Sequence, residues 1–261
     1  MTTQFDRRRI PAPEESRPPV YATAESEAGP SKRDRPADAL RPIFLKTGLV
    51  TQANGSAYIE AAGVKIACSW NNVSDSAISF GPRPRPPPYT PHGTLNLEVK
   101  FAPFASRARR APLRDTEPVN HTALLTQLLL PALRLHLLPK LSVDVHILVL
   151  EADSDAAVLS AGLTAACAAV TDAGIPINGL AVGSVVSTDG QTLLLDPTGD
   201  ETSTAQCTVT LGAMPALGKV TSLHLVGEVD LDQACEMIEL TLTGAKATHN
   251  VAAQSILDGA S

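Results

Sequence analysis

Ile43-Phe44-Leu45-Lys46-Thr47-Gly48-Leu49-Val50, then Asn54-Gly55-Ser56-Ala57-Tyr58-Ile59-Glu60, then Gly63-Val64-Lys65-Ile66-Ala67-Cys68, is the stretch whose reading decides the fold. Each run is short, rich in apolar and β-branched residues, and bounded by glycine, which predicts three successive strands. Asn54-Gly55 reads as a hairpin turn, because both residues tolerate the positive φ of a tight primed turn. Gly63 opens the third strand. The whole is a β-meander.

Downstream, Leu95-Asn96-Leu97-Glu98-Val99-Lys100-Phe101 alternates apolar and polar residues, predicting a strand with one wet face. Val119 to Leu138 has helical spacing, which Pro131 must kink or divide, since a proline removes a helix hydrogen bond. Val143 to Leu150 returns to strand. Ala156 to Ala173 is small and apolar all round, a buried helix closed by Gly174 and Pro176. Strands follow over Leu180 to Val186 and Thr192 to Leu195, joined by Asp189-Gly190, and over Cys207 to Leu211 and Val220 to Val226. Asp230 caps a last helix with Gln233 as its reciprocal partner, and Leu231, Ala234, Cys235, Ile238 and Leu242 form its core stripe. The order ββββαβαβββ(β)α predicts an α/β fold, helices packed on mixed sheets without a regular βαβ repeat.

Upstream, residues 1–40 hold six prolines and mixed charges with almost no aliphatic periodicity. Such a segment buries too little apolar surface to offset its ordering entropy, so it reads as a disordered arm. The expected organisation is therefore the arm at 1–40, one domain at 41–257 and a short tail at 258–261. Within the arm, Arg7, Arg8 and Arg9 form a basic run that could grip RNA or an acidic partner.

The chain has 261 residues, 44% of them hydrophobic and 3% aromatic, so its core must be built from Ala, Val, Leu and Ile. The net charge of −6 argues against a protein that coats nucleic acid generally. Cys68, Cys167, Cys207 and Cys235 form no C-x-x-C pair and sit among apolar or small residues, which fits reduced, buried thiols of an intracellular protein. No apolar run nears the roughly 20 residues a membrane span requires. The polar, arginine-bearing start lacks the apolar core of a secretory signal, so a soluble protein is expected.

The quoted strands also resemble the RNase PH family, and within it the ring subunits of the eukaryotic RNA exosome. Arg41-Pro42-Ile43 through Gly48, with Gly55-Ser56, Glu60 and Lys65, is similar to the family's opening meander. Val99 to Ala105 looks like its fourth strand and exit. Val149-Leu150-Glu151-Ala152-Asp153, Ala173 to Pro176, Val182 to Val185 and Leu195 to Glu201 follow in the family's order. Asp6-Arg7-Arg8-Arg9 ahead of a Pro-rich arm looks most like the mRNA-transport (Mtr-type) subgroup. The resemblance implies an RNase PH-like (ribosomal S5 domain 2-like) fold. It also implies partners: other RNase PH-like ring subunits, an S1/KH cap subunit, RNA and a separate catalytic nuclease. It implies work in rRNA processing and mRNA decay in nucleus, nucleolus and cytoplasm.

Whether the family's chemistry survives is a question about charge. A phosphorolytic exoribonuclease must hold inorganic phosphate against an RNA phosphodiester, which takes cationic or amide donors. In active members the strand ending at Asp153 runs into Asp-Gly-Gly-Thr-Arg. Here it reads Asp153-Ser154-Asp155-Ala156-Ala157, which replaces the glycines by Ser154 and Asp155 and the donors by Ala156 and Ala157. A carboxylate a few ångströms from phosphate costs on the order of 1 to 4 kcal/mol at effective dielectrics of about 80 to 20. The family's paired aspartates, six apart, fall on Asp200 and Gln206, so one carboxylate has become an amide. Asp200 then reads as part of a solvated acidic loop with Asp196 and Glu201. From Leu141 to Gly218 there is no Lys or Arg, against Asp144, Glu151, Asp153, Asp155, Asp172, Asp189, Asp196, Asp200 and Glu201. The site reads as degenerate, with no catalytic residue, no metal and no cofactor expected.

No other chemistry stands out. The six histidines (His92, His121, His136, His146, His224 and His249) show no metal-ligand spacing, and His146 reads as a structural hydrogen-bonder. No G-x-S-x-G, H-E-x-x-H or Walker pattern occurs. Between Gly81 and Arg114 the balance inverts: Arg83, Arg85, Lys100, Arg107, Arg109, Arg110 and Arg114 face only Glu98. Arg107, Arg109, Arg110 and Arg114 are therefore the candidates for sequence-blind contact with an RNA backbone. The expected function is a non-catalytic ring scaffold. The rivals are an active or composite-site phosphorolytic 3′→5′ exoribonuclease, and an unrelated α/β binding module.

Overall fold

The computed structural model describes residues 33, 35–73, 91–106, 109, 119–139 and 141–260. The meander comes first: β1 (Ile43–Thr47), β2 (Gly55–Ala61) and β3 (Val64–Val73), each antiparallel to the next. Alternation decides the faces, with Ala57, Ile59, Ile66 and Cys68 turned into the core. The β1–β2 connection is longer than a two-residue turn, because pairing stops at Thr47 and Ala57. Gly55 serves packing instead: a Cβ there would lie 2.4 Å from the Ala169 carbonyl oxygen.

β4 (Thr94–Phe101), α1 (Val119–Leu129) and β5 (Ser142–Glu151) form one crossover, with β4 parallel to β5. Pro131 divides the predicted helix as expected, leaving single 3₁₀ turns at Leu130–Ala132 and Leu135–Leu137. The first sheet thus has the order β1-β2-β3-β5-β4. α2 (Asp155–Asp172) follows, then β6 (Val182–Thr188), β7 (Leu193–Leu195), a short α3 (Gly199–Thr204) that periodicity did not reveal, β8 (Cys207–Met214) and β9 (Lys219–Gly227). These strands make a second, wholly antiparallel sheet of order β7-β6-β8-β9. α4 (Leu231–Ala260) closes the chain. Gln233 at its start donates to the Gly190 carbonyl rather than closing a capping box with Asp230.

α2 explains how the two sheets share one core. It is buried almost all round because it packs on β2 and β3 on one side and on β6 and β8 on the other. Its small residues let the backbones close in: a Cβ on Gly183 of β6 would sit 2.4 Å from the Ser160 backbone. Every residue of β6 is buried, since α2 covers one face and α4 the other. A Cβ on Gly244 of α4 would lie 2.7 Å from Ser184 Oγ.

Residues 35–40, expected within a disordered arm, lie along β7, where the Leu195 N–H donates to the Ala37 carbonyl at 2.8 Å. Cys68, Cys167 and Cys207 are buried free thiols, and burial pushes the first two up to about 12 and about 11. Cys235 is exposed, contrary to its reading as a core-stripe residue. Among the described residues no helix is long and apolar enough to cross a membrane.

Candidate functional site

Where β5 ends, Ala152–Ser154 turn the chain into α2. Ser154 adopts an extended N-cap conformation, and its Oγ accepts from the Ala157 N–H at 3.2 Å. One of the free amides that a helix start offers to an anion is therefore taken by the chain itself. Asp155 follows, its side chain 73% exposed and its Oδ1 3.3 Å from Nε2 of His121 on α1. Ala156 lies beside it. Ala157 is 5% exposed and faces inward, toward a small gap beside Arg41 and Asp196.

Across from this turn stands the β8–β9 end of the second sheet. Between the two lies a cleft of about 720 Å³, bounded by Asp155 and Ala156 on one wall and Thr202, Gln206, Thr208 and His224 on the other. The fold thus brings Asp155, Ala156 and Gln206 together, although about fifty residues of chain separate the first pair from the third. It adds His121 and His224, which no spacing pattern had linked. Asp200 does not line the cleft. It sits exposed in the first turn of α3, and Ser203 Oγ donates to its backbone carbonyl. Among the described residues the cleft lining includes no Lys or Arg, and its one carboxylate is Asp155. Among the described residues no cluster of three or more His, Cys, Asp or Glu is placed to hold a metal.

Among the described residues Arg33, Arg35 and Arg41 lie next to this region, and each is engaged. Arg41, 6% exposed, spans two loops: Nη1 donates to Asp153 Oδ2 at 3.0 Å, Nη2 to Asp196 Oδ1 at 2.6 Å and Nε to Asp196 Oδ2 at 2.9 Å. The Arg41 N–H adds a third bond to Asp196 at 3.0 Å. Burial alone would raise the Asp196 carboxyl, but the hydrogen bonds and charge of Arg41 outweigh it and hold the group below its ordinary value. Burial likewise opposes the charge on Arg41, and the two carboxylates overcome it and push the guanidinium up. Arg35 reaches Asp196, yet burial and the like charge of Arg33 lower it. Arg33 donates to Glu201 at 3.1 Å and to the Leu195 carbonyl at 2.8 Å. Glu201 also closes a capping box with Thr198 at the start of α3.

The loop read as a solvated acidic stretch is thus mostly an ion-pair lattice, and only Asp200 fits that description. The lattice escaped the sequence because its arginines lie more than a hundred residues from their carboxylates. Asp196 carries one local signal, a φ of +53° in a non-glycine residue, made tolerable by the bonds that fix it. Gly199 is the complement: a Cβ there would fall 2.5 Å from the Asp153 carbonyl oxygen, so the two loops touch backbone to backbone.

His146 on β5 sits outside the cleft lining, with Nδ1 2.8 Å from Glu98 Oε2. Lys100 Nζ lies 2.6 Å from the other oxygen of Glu98. Burial raises Glu98, but these two bonds outweigh it and lower the carboxyl. Of the candidate RNA-contact arginines, Arg109 is described and exposed. Arg107, Arg110 and Arg114, with Arg7, Arg8 and Arg9 of the arm and Arg83 and Arg85, lie outside the described residues.

Two family models cover most of the chain: domain 1 of the 3′ exoribonuclease family matches residues 39–176, and domain 2 matches residues 180–244. The human protein named exosome complex component MTR3 is 37% identical over 266 residues, spanning 98% of this chain and 96% of its own. Exosome component mtr3 of Schizosaccharomyces pombe is 32% identical over 97% of this chain and 96% of its own. The archaeal exosome component Rrp41 of Thermococcus kodakarensis is 32% identical over 80% of this chain and 81% of its own. The solved structure of rice Rrp46 superposes with a TM-score of 0.70 at 17% identity, over 85% of this chain and 98% of that one. The two-sheet fold, the motif order and these matches together place the chain in the RNase PH-type 3′ exoribonuclease family.

Proposed function

We propose that this chain is a non-catalytic subunit of the RNA exosome core ring, supporting 3′→5′ RNA processing and degradation as scaffold and guide. The observation that carries this reading is the composition of the family's anion cleft. Asp155 supplies a negative charge, and Ala156 and Gln206 supply no cation. The neighbouring arginines, Arg33, Arg35 and Arg41, are bonded to carboxylates or backbone carbonyls of the chain. An attacking phosphate would meet repulsion where an active enzyme offers bidentate donors. The ring membership rests on the exosome components to which the chain is similar.

In this reading the chain pairs with other RNase PH-like subunits, completes a six-membered ring, carries an S1/KH cap subunit and passes RNA toward a separate nuclease. Arg107, Arg109, Arg110 and Arg114, and the arm's Arg7, Arg8 and Arg9, track the RNA backbone or an acidic neighbour. In the same reading the protein works in nucleus, nucleolus and cytoplasm, in rRNA processing and mRNA decay. The domain division proposed is an N-terminal arm followed by one RNase PH-like body, with α4 running through the expected tail to Ala260.

The test is direct incubation of the purified chain with single-stranded RNA, inorganic phosphate and Mg²⁺. No nucleoside diphosphate is expected. Release of diphosphates by the chain alone overturns the reading. Release only after addition of another RNase PH-like subunit, abolished by a substitution at Asp155 or Gln206, establishes a composite site instead.

A further inference from the structure

β7 is three residues long and meets β6 only at Val186, Ser187 and Thr188. Gly183, Ser184 and Val185, which it does not reach, line a cavity of about 30 Å³ between the two sheets. One wall is aliphatic, drawn from β1, β2, β3 and α2. The other is polar, with Ser184 on β6, Thr164 on α2, Thr248 on α4 and the Arg41–Asp196 pair. Ser184 is 3% exposed, and among the described residues its hydroxyl has no hydrogen-bond partner. A buried hydroxyl left unpaired costs free energy, so such a group calls for a partner.

Two groups on the polar wall have accepting capacity to spare. Thr248 Oγ1 donates to the Gly244 carbonyl at 3.1 Å and keeps both lone pairs. Asp196 Oδ1 accepts from Arg41 Nη2, which leaves room for a second donor. We propose that this cavity is a hydration site: one buried water accepts from the Ser184 hydroxyl and donates to Thr248 Oγ1 and Asp196 Oδ1. About 10 to 15 Å³ is enough for one water, so the volume holds one and at most two. Cavities that stay dry are apolar all round, whereas this one is lined by a guanidinium, a carboxylate and hydroxyls. Nothing larger fits, and Arg41 already answers the charge of Asp196, so the wall does not call for an ion. The water ties β6 and α4 to the carboxylate that Arg41 holds, and so couples the second sheet to the ion-pair lattice. This site is independent of the ring reading.

A high-resolution crystal structure of the full-length chain tests the proposal directly. An ordered water is expected within hydrogen-bond distance of Ser184 Oγ and of at least one of Thr248 Oγ1 and Asp196 Oδ1. A cavity without such density, or a Ser184 hydroxyl bonded directly to a protein group, overturns it. The sign of one substitution gives a test in solution. If the Ser184 hydroxyl is bridged by water, Ser184→Ala removes a satisfied bond, and thermal unfolding should move down by about 2 to 4 °C. If the hydroxyl is unpaired, the same change deletes an unsatisfied buried group and the midpoint rises, which overturns the proposal. A midpoint that does not move overturns it as well, because the bridge then contributes nothing. Should Ser184→Ala fail to fold, the crystal structure of the unsubstituted chain decides alone.

Discussion

Arg41 is the residue on which the two loops beside the cleft depend. Replacing it by Ala would take from Asp153 this cation and leave Asp196 only the longer contact with Arg35, at a cost of about 3 kcal/mol, measurable by urea denaturation. Arg41→Lys should recover less than half, because an ammonium cannot make the forked contact with Asp196 while also reaching Asp153. The pH dependence carries the sign. In the native protein Asp196 sits below its ordinary value of 3.8, so it contributes stability above that value that is lost as the pH falls through it toward the folded value. Without the Arg41 guanidinium, burial is opposed only by the Arg35 charge and the residue-41 N–H, so the carboxyl moves up from its native value and the folded variant takes up its proton at a higher pH than the native protein does. The deficit of Arg41→Ala should therefore shrink between about pH 7 and about pH 4.5, and a deficit that grows over that range would contradict the lattice. Position 41 was legible as part of a motif, but its role was not. A side chain's partners across the fold leave no trace in local periodicity.

α2 is the element that holds the two sheets together, and its fit is steric rather than chemical. Gly183→Ala puts a methyl into the Ser160 backbone, where no side chain can rotate away. A loss of about 2 to 3 kcal/mol is expected in thermal or urea unfolding. Ser154→Ala tests the other end of the same helix: loss of the cap should cost about 1 kcal/mol. Freeing the Ala157 amide alone should not create phosphate affinity, since Asp155 remains two positions away. The element order was readable because α2, β5, β6, β8 and β9 each carry a strong apolar pattern. What periodicity missed has a physical cause in each case. α3 is too short to show a stripe and is held by a capping box. The Asn54-Gly55 pair resembles a hairpin turn, but Gly55 is needed for close approach to α2. Cys235 fell on a helical stripe, yet the start of α4 is solvent-exposed.

At the scale of the whole molecule, charge is divided rather than balanced. The half from Leu141 to Gly218 is wholly acidic, and its carboxylates near the cleft borrow cations from Arg33, Arg35 and Arg41. The segment between Gly81 and Arg114 carries the opposite excess in its sequence. Neutralising Arg107, Arg109 and Arg110 in an assembled ring should weaken RNA binding evenly across sequences and flatten its salt slope by about 0.7 per lost contact with a single strand. An unchanged slope would assign the arginines to a protein neighbour. The acidity of the site was visible in the sequence, because the absence of Lys and Arg over a long stretch is a count. That Asp155, Ala156 and Gln206 share one cleft with His121 and His224 was not, because it depends on how the sheets meet. The measurement that bears most directly on the silence of this site is a calorimetric titration of the purified chain with inorganic phosphate at neutral pH. No saturable heat at millimolar phosphate is expected. Saturable binding that is lost in a variant of Asp155, Ala156 or Gln206 would show a working anion site and contradict the account.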